Sequence, residues 1–154
     1  MSALDGLYQE VILDHAKRRS GQGLAAPAPG HGSGESHQYN PTCGDEITVR
    51  AELTPGGVGQ EPVVRRISWE GEGCSISMAA ASVLAETAPG MTRDELLALI
   101  GAFRELLRSR GTVEPDEELL GDAAAFAGVS RFVARVKCAM LGWVAAEEAL
   151  GRAG

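Results

Sequence analysis

Three cysteines and one aspartate constrain this chain more than any other feature of its sequence. Cys43 and Asp45 flank a single glycine, Cys74 lies in the middle of the chain, and Cys138 lies near its C-terminal end. These are the only three cysteines in 154 residues, and an odd number cannot pair completely in intrachain disulfides. Three thiolates and one carboxylate are a complete donor set for a tetrahedral metal ion. A fold that brings the four side chains together would handle metal, sulfur or both.

Composition limits the classes of protein to which the chain can belong. Its 154 residues suit a single domain, residues 1–154, and its few aromatic residues (2 Trp, 2 Tyr and 3 Phe) predict a largely aliphatic core. The net charge of −7 argues against general binding to nucleic acid or to an anionic membrane. No apolar run is long enough to span a bilayer, and the first residues do not resemble a secretory signal. We therefore expect a cytoplasmic protein with no nucleic-acid or membrane partner.

The first half of the chain predicts one helix followed by a small sheet. Apolar residues recur at helical spacing over residues 4–12. Residues 20–36 are rich in Gly, Pro, Ala and Ser, and we expect a long, poorly ordered loop there. Residues 47–53 and 63–70 have the composition and alternation of strands, and a turn sequence separates them. These two strands form an antiparallel hairpin, to which residues 38–42 could add a short edge strand.

The second half predicts helices. An alanine-rich helix follows Cys74, and either Ser75 or Ser77 can cap its N-terminus. Thr92 and Glu95 have the spacing of a capping box and begin the next helix. The sequence predicts further helical segments at residues 93–110, a short acidic helix that starts at residue 115, a segment at 122–127 and a last helix at about 131–150. The predicted fold class is α+β: an N-terminal helix, a small antiparallel three-stranded sheet, then several packed helices.

The predicted hairpin brings two of the cysteines to one edge of the sheet. Cys43 precedes the first long strand and Cys74 follows the second, so both lie where the same two strand ends meet. Cys138 can join them only if the last helix packs near that edge. The chain has no paired C-x-x-C spacing, and a cysteine is often a small buried apolar residue. For Cys138, which has apolar neighbours, burial and metal ligation are equally compatible with the sequence.

The same residues carry a resemblance to a known family. Residues 40–45, 71–77 and 135–139, together with the opening helix, resemble the U-type iron–sulfur cluster assembly family along almost the whole chain. Within it, the chain is most similar to the SufU branch, because 63 residues separate Cys74 from Cys138. Lys137 also stands where IscU-like scaffolds carry a histidine. The resemblance implies a SufU/IscU-like fold with a helical insertion around residues 92–121.

The resemblance implies a site and a function. Zinc would be bound by Cys43, Asp45, Cys74 and Cys138, and the protein would accept sulfur from a SufS-like cysteine desulfurase and pass it to a downstream Suf-type cluster scaffold. Cys43, in a mobile loop, is the predicted sulfur acceptor, and Cys138 is the alternative. The runner-up function is a scaffold on which a [2Fe–2S] cluster is assembled, with iron in place of zinc. A purely structural metal is a third interpretation.

Two basic residues near the last cysteine have an open role. Arg135 and Lys137 could offset the negative charge of a metal bound by three thiolates and a carboxylate. They could equally be ordinary solvated charges on a helix. His15, on the first helix, is predicted to pack against other helices rather than to bind metal.

Overall fold

An N-terminal helix, a three-stranded antiparallel sheet and a series of helices follow one another along the chain. The computed structural model describes residues 3–42 and 44–153, the first three of these through the backbone alone. The elements are α1 (Ala3–Arg18), β1 (Gly32–Asn40), β2 (Asp45–Leu53), β3 (Val64–Glu72), α2 (Ser75–Thr87), α3 (Arg93–Arg108), α4 (Glu117–Leu120), a 3₁₀ segment (Gly121–Arg131) and α5 (Val133–Arg152). The predicted α+β fold class is confirmed.

The sheet has the order β1-β2-β3, so each strand pairs with its neighbour in sequence. In the first pair Asn40 lies opposite Asp45, at the turn that joins β1 to β2. In the second pair Glu46 lies opposite Glu72, so the start of β2 lies beside the end of β3. An antiparallel meander therefore brings the start of β2 and the end of β3 to the same end of the sheet, because each connection reverses the chain.

The core lies between one face of the sheet and the helices α2 and α5, with α3 packed behind them. Its largest side chains are aromatic: Phe103 stacks on Trp143 with ring centroids 4.0 Å apart. The Trp143 indole N–H donates to the Ala80 carbonyl at 3.0 Å, which satisfies the polar atom of a fully buried ring. Every residue from Ser77 to Ala85 of α2 is buried. Small side chains along α2 allow close packing on both sides, so this helix is a rigid support.

The predicted loop at residues 20–36 is too long by five residues. β1 begins at Gly32 and pairs with β2 over nine residues, whereas the predicted edge strand began at residue 38. The glycine at position 34 contributed to the prediction of a loop, but the structure gives another reason for it. A Cβ built there would lie 2.1 Å from the Ala149 carbonyl oxygen, so only glycine lets α5 approach the strand this closely.

The rest of this segment, residues 20–31, forms hydrogen bonds with the sheet, whereas the sequence predicted a poorly ordered loop. The Trp69 indole N–H donates to the Ser20 carbonyl at 2.8 Å, and the Gly23 N–H donates to the Trp69 carbonyl at 2.7 Å. Farther along, the Ala28 N–H donates to Glu52 Oε2 at 3.1 Å. These bonds attach the segment to β2 and β3, and none of the partners is near it in sequence.

The helix ends agree with the sequence in one case and differ in another. The capping box at Thr92 and Glu95 is confirmed, with both reciprocal hydrogen bonds formed. The predicted cap of α2 is wrong: Cys74 occupies the N-cap position, and no side chain caps the helix there.

Within the described residues no helix is both long and apolar enough to cross a membrane. The helical insertion expected around residues 92–121 stays a prediction.

Candidate metal centre

The first candidate ligand, Asp45, is the first residue of β2. The Asn40 carbonyl accepts from the Gly44 N–H at 2.8 Å, and the Asn40 side-chain oxygen accepts from the Thr42 N–H at 3.1 Å. These bonds close the β1–β2 turn and fix where β2 begins. Asp45 is only 3 % exposed. The predicted ligand Cys43 lies outside the described residues.

The second candidate ligand, Cys74, is placed by the junction of β3 and α2. Its backbone N–H donates to Asp45 Oδ1 at 3.2 Å, and its Sγ lies 3.7 Å from Asp45 Oδ2. Gly73 makes this approach possible, because a Cβ at that position would lie 2.9 Å from both Cγ and Oδ1 of Asp45. The thiol and the carboxylate therefore meet although 28 residues separate them in sequence.

The third candidate ligand, Cys138, lies in the second turn of α5. It is 1 % exposed, and its Sγ lies 3.7 Å from the Ala134 carbonyl oxygen one turn earlier. The ligand atoms of Asp45, Cys74 and Cys138 all lie within 4.8 Å of one another. The sequence left burial and ligation as alternatives for Cys138, and the structure shows that it is buried and faces the other two side chains.

Ser77 is a residue of this site that sequence reasoning assigned to another role. Its hydroxyl donates to Asp45 Oδ2, and its Oγ lies 3.4 Å from the sulfur of Cys74. It is 2 % exposed. The available signal was its position three residues after Cys74 on a predicted helix, which places both side chains on one face. The same serine fitted the pattern of a helix cap, and the sequence did not distinguish the two roles.

The two basic residues near Cys138 lie at the surface. Arg135 and Lys137 are both exposed, and Arg135 precedes Cys138 by three residues on α5. Residues three positions apart lie on the same side of a helix, so Arg135 extends from the side of α5 that carries Cys138, whereas the adjacent residue Lys137 does not. Both charges are solvated.

The described donors suit a borderline or soft metal ion. Two ligands of one tetrahedral zinc ion lie about 3.7 Å apart, so small side-chain rotations bring these three atoms to that spacing. Thiolate donors favour zinc or iron over magnesium or calcium, which prefer oxygen. Three donors from the described residues leave one tetrahedral position, which a further thiolate could fill.

A second group of side chains has similar spacing but different chemistry. His15, Glu86 and Asp122 also place ligand atoms within 4.8 Å of one another. Both ring nitrogens of His15 already have partners, since Nδ1 lies 2.9 Å from Ser82 Oγ and Nε2 lies 2.9 Å from Asp122 Oδ2. His15 is fully buried and joins α1, α2 and the 3₁₀ segment. The packing role predicted for this histidine agrees with these contacts.

Known proteins resemble this chain over nearly its whole length. The family model described as the NifU-like N-terminal domain matches residues 7–149. The zinc-dependent sulfurtransferase SufU of Bacillus subtilis is 36 % identical over 97 % of this chain and 92 % of its own length. The iron–sulfur cluster assembly scaffold protein IscU of Streptococcus pyogenes is 34 % identical over 99 % of this chain and 87 % of its own.

Solved structures share the fold. The crystal structure of a putative scaffold protein for the SUF system from Fervidobacterium islandicum superposes with a TM-score of 0.71 at 30 % identity, over 92 % of this chain and 94 % of that one. The N-terminal NifU-like protein of Brucella abortus superposes with a TM-score of 0.74 at 28 % identity, over 98 % and 96 % of the two chains.

Proposed function

The chain belongs to the NifU-like N-terminal domain family, and on this basis we propose that it is a zinc-dependent sulfur-transfer protein of iron–sulfur cluster assembly. One observation carries the proposal: Asp45, Cys74 and Cys138 converge within 4.8 Å from three separate elements. The similarity to a protein named as a zinc-dependent sulfurtransferase supports the choice of zinc and of sulfur transfer.

In this proposal four side chains hold the metal: Cys43, Asp45, Cys74 and Cys138. Bound zinc keeps thiolates deprotonated at neutral pH. The protein contributes the arrangement of the ligands, since β2, the junction of β3 and α2, and α5 each supply one of the described donors. The partners we propose are a SufS-like cysteine desulfurase as sulfur donor and a Suf-type cluster scaffold as acceptor. A reducing compartment such as the cytoplasm suits a site built on free thiols.

We assign the sulfur-accepting step to Cys43. Its thiolate attacks the outer sulfur of the desulfurase's cysteine persulfide, a new S–S bond forms, and the desulfurase cysteine leaves as a thiolate. No outside oxidant is needed, because the transferred sulfur already has the required oxidation state. The burial of Cys138, at 1 % exposure, supports this assignment, because a partner's persulfide must reach the attacking sulfur.

A second candidate function is a scaffold that carries a [2Fe–2S] cluster. The similarity to a protein named as the scaffold IscU favours it, as does the oxygen donor of Asp45 among sulfur donors. The cluster would be cargo, assembled on the same side chains and handed to an acceptor protein. The two functions therefore use the same site with different metals, zinc for sulfur transfer and iron for the scaffold. The metal content of the purified chain distinguishes the two functions.

Sulfur transfer is tested with the purified chain, a SufS-like desulfurase and cysteine. Persulfides are trapped by alkylation and mapped by mass spectrometry. We expect label on Cys43, no label in Cys43→Ser, and retained label in Lys137→Ala, a nearby surface variant. Label on Cys138 that persists in Cys43→Ser would contradict the assignment of the acceptor. A chain that carries no persulfide at all and holds iron instead would favour the scaffold.

A further inference from the structure

We infer that Ser77 is a positioning residue that holds the Asp45 carboxylate in the orientation required of a metal ligand. The inference rests on the proposed metal site and extends it to a residue that donates nothing to the metal. Three observations carry it: the hydrogen bonds of the carboxylate, the burial of both residues, and the continuous burial of the helix that carries Ser77.

Asp45 is a buried carboxylate with a specific partner on each oxygen. The Cys74 backbone N–H binds Oδ1 at 3.2 Å, and the Ser77 hydroxyl donates to Oδ2. A buried carboxylate without donors is costly, and hydrogen bonds to a charged group are stronger than those between neutral groups. Because Asp45 has rotatable side-chain bonds, these donors restrict which way its oxygens point.

Ser77 links the carboxylate of Asp45 to a buried part of α2. It begins the stretch of α2 in which nine consecutive residues, Ser77–Ala85, are buried. Its backbone is therefore fixed by packing, and its hydroxyl is fixed by the bond to Asp45. Its Oγ also lies 3.4 Å from the Cys74 sulfur, so one hydroxyl contacts two of the candidate ligands. Contacts of this kind orient ligands before the metal arrives.

Two simpler roles for Ser77 are a helix cap and a filler of the core. A cap is contradicted by the structure, since α2 has Cys74 at its N-cap position and no side chain caps it. A filler would affect folding whether or not Asp45 were present. A positioning residue acts through Asp45, so its contribution to metal binding disappears when the carboxylate is removed.

The experiment measures zinc affinity by chelator competition on the isolated chain, without a desulfurase. We expect Ser77→Ala to weaken zinc binding by about 10- to 100-fold, the usual effect of losing a residue that orients a ligand. The matched control is Ser82→Ala, which removes another fully buried serine of α2, one that contacts His15 instead of the site. This variant is expected to bind zinc as tightly as the unmodified chain.

A double-mutant cycle separates positioning from folding. In an Asp45→Ala chain, adding Ser77→Ala is expected to leave zinc affinity unchanged. The ligand-field spectrum of the Co²⁺-loaded chain provides a second measurement: Ser77→Ala should alter it and Ser82→Ala should not. Circular dichroism checks that each variant folds, and alanine is favourable within a helix.

The possible results separate this inference from the proposed function. Equal zinc affinity and equal cobalt spectra for Ser77→Ala and the unmodified chain would overturn the role of Ser77 alone. A loss that persists in the Asp45→Ala chain would also overturn it, because Ser77 would then act through the Cys74 sulfur or on folding and not through Asp45. If the chain binds zinc and never accepts sulfur, the proposed function fails while the role of Ser77 stands. If the unmodified chain binds no zinc, both fail.

Discussion

Glu52 Oε2 lies 2.6 Å from His31 Nδ1. This contact joins the end of the central strand β2 to the residue that immediately precedes β1. Glu52 is 4 % exposed, and burial by itself would raise the pKa of its carboxyl group. The hydrogen bonds from the Ala28 N–H and from His31, with the charges of His31 and Arg66, outweigh burial and lower the pKa below its ordinary value of 4.5. The carboxylate therefore stabilises the folded chain when it is ionised.

The first prediction concerns the pH dependence of stability. Because the pKa of Glu52 is lower in the folded chain, its contribution is fully present above about pH 4.5 and is lost as the pH falls through the folded value. Glu52→Gln should lower the free energy of unfolding at pH 7 by about 1–3 kcal/mol, since it weakens charged hydrogen bonds. The difference from the unmodified chain should shrink below about pH 4.5.

The measurement is urea unfolding of the metal-free chain with a chelator present, so that metal release at low pH does not contribute. Glu61→Gln, which changes an exposed carboxylate, is the control and should have little effect at any pH. A stability difference for Glu52→Gln that is independent of pH would mean that the charge of Glu52 contributes nothing.

The second prediction is the identity of the bound metal. The purified chain should contain about one tightly bound zinc and be colourless, because its donors favour zinc and no iron–sulfur chromophore is expected. When free zinc exceeds its Kd a thousand-fold, binding stabilises the folded state by about 4 kcal/mol. Removing zinc should then lower the Tm by about 8–16 °C for a chain of this size. Elemental analysis and visible absorbance check this, and stoichiometric iron with strong visible absorbance would contradict it.

The third prediction concerns Asp45. Asp45→Ala should weaken zinc retention and leave the helical content largely intact, because the core lies between the sheet and the helices and not at this edge. Chelator competition and far-UV circular dichroism measure the two effects. Glu46→Ala is the control, since it removes the neighbouring carboxylate from the exposed side of β2. Unchanged zinc affinity in Asp45→Ala would show that the carboxylate is not a ligand.

The fourth prediction concerns Gly73. Gly73→Ala should weaken metal binding, because the new Cβ would lie 2.9 Å from Asp45 Cγ and Oδ1 and would displace the carboxylate. Gly101→Ala, in the middle of α3, is the matched control, because the new Cβ would meet no atom within 4 Å beyond its chain neighbours and the adjacent backbone of its own helix. It should stabilise the chain by up to about 1 kcal/mol through helix propensity and leave zinc affinity unchanged. Equal zinc affinity in the two glycine variants would contradict the steric role of Gly73.

The sequence determined the elements of this fold and the order in which they occur. Period-two alternation predicted the two long strands, and the Thr92–Glu95 pair predicted the start of α3 with its capping box. Both are local signals, since they depend on residues that are neighbours in the chain. The sequence also indicated that the strand ends next to Cys43 and Cys74 can meet, because an antiparallel hairpin leaves its two outer ends side by side, and the structure places Asp45 and Cys74 in contact there.

Tertiary structure decided the features that depend on distant partners. The sequence indicated that Gly34 is a loop residue, but it lies in β1. It is glycine there because the backbone of α5 passes too close for any side chain. Ser77 looked like a helix cap, and it instead binds Asp45, which lies 32 residues earlier. Cys138 faces the other ligands because of how α5 packs on the sheet. The local sequence pattern limits the structural roles that a residue can have. The tertiary structure determines which of these roles it has, because packing and hydrogen bonding act between residues that are neighbours in space.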